Sequence, residues 1–105
     1  MSKIDIEHGL DDIIKTKGRA FILFYASWCP HSQRFLPIFE KHSKGREQSC
    51  MRVMIDDKAS IMDEYSVEYV PTVLVFENGK LIKRLDAVPG LGLNEKQLID
   101  LLNLH

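Results

Sequence analysis

Ala26-Ser27-Trp28-Cys29-Pro30-His31-Ser32 joins two different patterns. Before it runs an apolar stretch, Ala20 to Ala26. After it, apolar residues recur at helical spacing. A cysteine therefore stands where a strand ends and a helix begins, with a proline immediately after it. Pro30 suits the first helical position, where a missing N–H removes no hydrogen bond. The first turn of a helix offers unpaired backbone N–H groups and the positive end of the helix dipole. An anion is favoured there, and the thiolate is the reactive form of cysteine. A buried structural thiol is the plainer alternative for Cys29.

The flanking elements follow from periodicity. Phe21-Ile22-Leu23-Phe24-Tyr25 is apolar without alternation, as a strand buried on both faces is. Phe35, Leu36, Ile38 and Phe39 give the helix after Cys29 its buried face, and Pro37 inside it predicts a kink. Upstream, Ile6, Leu10, Ile13 and Ile14 predict a first helix over residues 5–17. A short strand within residues 2–6 is left open. Downstream, a strand is expected over residues 50–56 and a short helix over 59–66. Thr72 to Phe76 reads as a second buried strand. Asn78-Gly79 is the strongest two-residue hairpin signal, so residues 80–85 should return antiparallel. Residues 88–92 form a loop. Asn94-x-x-Gln97 is a capping box for a last helix with Leu98, Ile99, Leu101 and Leu102 on its apolar face. The basic run Lys41, His42, Lys44 and Arg46 reads as a solvated helix end facing the dipole.

At 105 residues the chain suits one domain, residues 1–105. Its 45% hydrophobic content is ordinary for a globular protein, and a net charge of -1 gives no electrostatic reason to expect nucleic acid or an anionic membrane as partner. The N-terminus turns polar at once, so no secretory signal is expected and the chain reads as cytoplasmic. The two cysteines, Cys29 and Cys50, flank a helix of about 15 residues, which moves the chain by roughly 20 Å. A disulfide holds its Cα atoms within about 7 Å, so the pair should remain thiols in a reducing compartment. Cys29-x-His31 offers two ligands, too few for a structural metal site, and no metal or other cofactor is expected.

This element order, with its motifs, resembles the thioredoxin family over nearly the whole chain. Trp28-Cys29-x-x-Ser32 stands where the family has Trp-Cys-x-x-Cys. Pro37 matches its kinking proline, Val70-Pro71-Thr72 its cis-proline segment, and Phe76-Glu77-Asn78-Gly79-Lys80 its hairpin. The resemblance implies an α/β thioredoxin fold, a central mixed four- to five-stranded sheet flanked by helices on both faces. It implies a thiol–disulfide oxidoreductase in which Cys29 and Ser32 occupy the catalytic positions. Trp28, Pro30, His31, Val70 and Pro71 would contact the substrate. Trp28 would form one wall of a groove, the 88–92 loop another, and Val70 would pair with an extended substrate strand.

Two departures fall on the same half of the cycle. Ser32 replaces the second cysteine, and Leu23 stands where many thioredoxins bury an aspartate thought to help that cysteine lose its proton. Disulfide exchange needs a first thiolate to attack the substrate and a second thiol to displace it. Cys29 suits the first step; Ser32 is not acidic enough for the second, though its hydroxyl and N–H are placed to donate to the Cys29 sulfur. Either Ser32 is an engineered replacement or the protein is a natural monothiol form. The expected partners are protein thiols and disulfides, with glutathione or a reductase as electron donor, and the expected state is a monomer. The competing readings are a module that retains clients as mixed disulfides without turnover, a monothiol disulfide isomerase, and a glutathione-binding glutaredoxin.

Overall fold

The computed structural model describes residues 2–3, 18–45, 49–56 and 59–103. The expected first helix, 5–17, lies outside them. The elements in chain order are β1 (Ser2–Lys3), β2 (Arg19–Tyr25), α1 (Pro30–Ser43), β3 (Cys50–Met54), α2 (Ala59–Glu64), β4 (Thr72–Glu77), β5 (Lys80–Leu85) and α3 (Glu95–Leu102). The strands lie in the order β1-β3-β2-β4-β5, a four-stranded mixed sheet to which the two-residue β1 adds at one edge. β3 runs parallel to β1 and β2, whereas β4 runs antiparallel to β2 and β5 antiparallel to β4.

The central position of β2 explains its uninterrupted apolar sequence. Side chains alternate across a strand. Ala20, Ile22 and Phe24 enter one core, against Val53, Leu74 and Phe76, with Ile61, Met62 and Tyr65 packed on it. Phe21, Leu23 and Tyr25 enter the other, against Phe35 and Phe39 of α1 and Leu98, Leu101 and Leu102 of α3. Each fully buried side chain of this size contributes about 1.5–3 kcal/mol of transfer free energy. Ile99, expected on the apolar face of α3, is instead 38% exposed. Three leucines already fill the stripe of that short helix, and Ile99 lies beside it.

The local signals play out as turns and caps. Asn78 and Gly79 both have positive φ, 52° and 86°, as a type I′ hairpin turn demands. Asn94 Oδ1 accepts from the Gln97 N–H at 2.9 Å, and the Asn94 N–H donates to Gln97 Oε1 at 2.9 Å. An Asn94→Ala variant is therefore expected to lose about 1 kcal/mol, read as a lowered urea midpoint at unchanged slope. The basic end of α1 does more than face solvent. His42 Nε2 lies 2.7 Å and Lys41 Nζ 3.3 Å from Glu95 Oε2, tying α1 to α3. Those contacts, the His42 hydrogen bond first, hold the Glu95 carboxyl below its ordinary range. α1 itself runs through Pro37 as one helix. Among the described residues no helix is long and apolar enough to cross a membrane.

Candidate functional site

Strands β2 and β3 are parallel, so their C-terminal ends open on the same side of the sheet. The Ala26–Cys29 loop is fixed there from three directions. The Ser27 N–H donates to Asp56 Oδ1 at 2.8 Å, and the Ser27 hydroxyl makes a close bond to the other carboxylate oxygen. Gln33 Nε2 donates to the Ser27 carbonyl at 2.6 Å. The Ala26 N–H donates to Ser32 Oγ at 3.2 Å. Asp56 and Gln33 were not singled out from the sequence. The available signal for Asp56 was its place at the end of the strand parallel to β2.

Cys29 is the N-cap residue of α1, in extended conformation with φ -89° and ψ 120°, and Pro30 follows in the first helical turn. Its carbonyl accepts the first helical bond, from the Gln33 N–H at 2.9 Å. Its sulfur is 3.7 Å from the Val70 carbonyl oxygen, a long thiol-to-carbonyl hydrogen bond. The residue is 8% exposed. That small exposure opens into a groove of about 330 Å³, walled by Trp28, Cys29 and His31 on one side, Glu68, Tyr69 and Val70 on another, and Ala87 to Gly90 on a third, with Ile55 and Met62 also lining it. Trp28, 66% exposed, forms an outer wall.

Of the residues expected to contact substrate, Trp28, His31 and Val70 line this groove together with Cys29. Pro30 and Pro71 stand beside it. Pro30 is exposed in the first helical turn, while Pro71 is buried behind Val70, and the Val70–Pro71 peptide is cis. Ser32 is not among the residues lining the groove. Its hydroxyl oxygen accepts the Ala26 N–H, and the residue is 1% exposed. A buried N–H without an acceptor costs about 1–3 kcal/mol, so this serine closes the strand-to-helix loop.

Cys50 is also a buried thiol, at the start of β3 beside Phe21. In the same register Met54 pairs with Tyr25. Cys50 therefore stands at the end of the β2–β3 pair away from Cys29.

The third wall is held from two sides. Val88 and Gly92 close the 88–92 loop on itself, and Arg34 Nη2 donates to the Leu91 carbonyl at 2.6 Å. Gly92 has φ +73°, and a Cβ there would fall 2.8 Å from Arg34 Nη2 and 2.9 Å from His31 Cβ. Only glycine lets the loop lie so close to α1. Arg84 secures the opposite side. Its guanidinium donates to Asp86 at 2.9 and 2.8 Å and to the Ser66 carbonyl at 2.8 Å. It thus links the segment leading to Tyr69 with the one leading to Val88.

This geometry matches known proteins closely. A family model described as Thioredoxin covers residues 4–103. The thioredoxin of Mycoplasmoides gallisepticum is 31% identical over 97 residues, spanning 90% of this chain and 97% of that protein. Human endoplasmic reticulum resident protein 44 is 32% identical over 92 residues, covering 80% of this chain but only 22% of that longer protein. Among solved structures, Plasmodium falciparum thioredoxin superposes with a TM-score of 0.80 at 25% identity, over 97% of this chain and 96% of its own.

Proposed function

We propose that this chain, which belongs to the thioredoxin family of thiol–disulfide oxidoreductases, acts through Cys29 as the sole attacking thiol, with Ser32 in the place of a resolving cysteine. The observation that carries this reading is the position of the Cys29 sulfur, at the start of α1, in a groove and beside Val70. In the thiolate form the sulfur attacks one sulfur of a substrate disulfide. A Cys29–substrate S–S bond forms as the old one breaks, and the electron pair leaves on the other substrate sulfur as a thiolate. Trp28 and the 88–92 loop hold the substrate segment, and Val70 offers backbone groups to an extended strand.

The mixed disulfide then waits. Ser32 is buried and engaged with Ala26, and Cys50 stands at the far end of the strand pair. Release falls to an outside thiol: glutathione, a reductase or a second thiol of the client. When that thiol belongs to the client, the result is isomerisation rather than reduction. The protein acts as a monomer, on protein thiols and disulfides, in a compartment reducing enough to keep both cysteines as thiols.

A second reading, retention of clients without turnover, is favoured by the same engagement of Ser32. Insulin reduction with a glutathione-recycling system separates the two. Turnover in proportion to glutathione, abolished in Cys29→Ala, is the expected result. One adduct per chain with no further reduction would replace the enzyme reading by the retention module. No adduct at Cys29 would remove both.

A further inference from the structure

The groove beside Cys29 is mostly apolar, and its charge is placed on one side. Among the described residues lining it, Glu68 carries the one carboxylate and there is no lysine or arginine. Arg84 occupies an adjoining hollow shared with Glu68 and Tyr69. Its charge is already engaged, because Nε and Nη2 form a paired bond with Asp86 at 2.9 and 2.8 Å. Arg84 also feels the Glu68 carboxylate at longer range, and the three groups together leave one net negative charge on this rim. Glu68 is exposed, and Tyr69, next to it in the chain, is 50% exposed. A carboxylate and an accessible aromatic residue on one rim favour a cation, through Coulomb attraction and through the ring quadrupole. The opposite side differs. There His31 lines the groove, and the Arg34 guanidinium lies behind it on the Leu91 carbonyl. A cation gains nothing on that flank.

We propose that the groove selects disulfides of peptide segments that carry a lysine or arginine on the flank lying against Glu68 and Tyr69, with apolar side chains seated between Trp28 and Val88. This rests on Cys29 being the attacking thiol, and Glu68 acts as a specificity residue for that attack. An anionic partner in the same place meets the Glu68 carboxylate and is disfavoured.

The test uses short capped peptides with one central cysteine, apolar neighbours, and Lys, Gln or Glu at one outer position on either flank. The peptide cysteine is activated as its 2-pyridyl disulfide. Attack by the Cys29 thiolate forms the Cys29–peptide S–S bond and breaks the peptide–pyridyl S–S bond. The electron pair leaves on the pyridine sulfur, which takes a proton to give 2-thiopyridone, whose absorbance reports the rate. On one flank, Lys should react about three- to ten-fold faster than Glu, with Gln between, as expected for exchanging one exposed ion pair for a like-charge contact. The preference should vanish in Glu68→Gln, invert in Glu68→Lys, and collapse at about 1 M salt, where charges are screened within roughly 3 Å. Equal rates on both flanks with attack still at Cys29, or a preference that survives Glu68→Gln, would overturn the proposal and leave the Cys29 reading intact. Release that is equally fast from Cys29→Ala would take down both.

Discussion

A Ser32→Cys variant is expected to release its substrate without the outside thiol on which the proposed Cys29 cycle depends. Residues three apart on a helix have Cα atoms about 5 Å apart, and Ser32 follows Cys29 at that spacing across the first turn of α1. That suits a disulfide, whose Cα atoms lie about 4.4–6.8 Å apart. The resolving step then becomes intramolecular. Even an effective concentration of about 1 M, far below the limit for well-oriented groups, is about a thousandfold above a millimolar outside thiol. Insulin reduction driven by a limiting dithiol should therefore accelerate by orders of magnitude, and trapped adducts should disappear from the mass spectrum. Sulfur accepts hydrogen bonds poorly, so the Ala26 N–H that now donates to Ser32 Oγ loses about 1 kcal/mol of stabilisation. A variant that stays folded, forms adducts and turns over no faster than the parent would show that release is limited by something other than the missing thiol.

The sequence made the scaffold legible wherever a local pattern had one structural meaning. Ala20 to Ala26 could be buried on both faces only in a central strand, and β2 is that strand. Asn78-Gly79 and Asn94-x-x-Gln97 carry their geometry in four residues or fewer, and both appear as turn and capping box. Cys29 and Trp28 were legible for a related reason: a strand-to-helix junction is itself a local feature. What escaped was set by tertiary placement. Asp56 reaches Ser27 across 29 positions because two parallel strands end together. Glu68 and Arg84 share a hollow, and nothing in their own neighbourhoods marks it. The hydroxyl of Ser32 beside a thiol is visible in sequence, but the bond it accepts from the Ala26 N–H needs the folded loop.

A Leu23→Asp variant is expected to lose stability, and to lose more of it as the pH rises. Leu23 is 0% exposed in the middle of β2, packed in the cluster that contains Phe35, Phe39 and Val73. Placing aspartate there removes a buried side chain worth about 2 kcal/mol and buries a polar group without a partner, at about 1–3 kcal/mol more. The loss should also grow with pH. In the unfolded chain the carboxyl ionises near about 3.9, while burial raises its folded value. Between those two values the unfolded state gives up its proton and the folded state keeps it, so stability falls by about 1.4 kcal/mol per pH unit. By neutral pH a domain of ordinary stability, about 5–15 kcal/mol, would have lost most of it. Urea midpoints for Leu23→Asp at acid and neutral pH, each compared with Leu23→Asn, check the sign. The asparagine variant should lose a similar amount at both. An aspartate variant whose loss is the same at both pH values would mean that the carboxyl reaches water, and that the space around position 23 is open rather than packed.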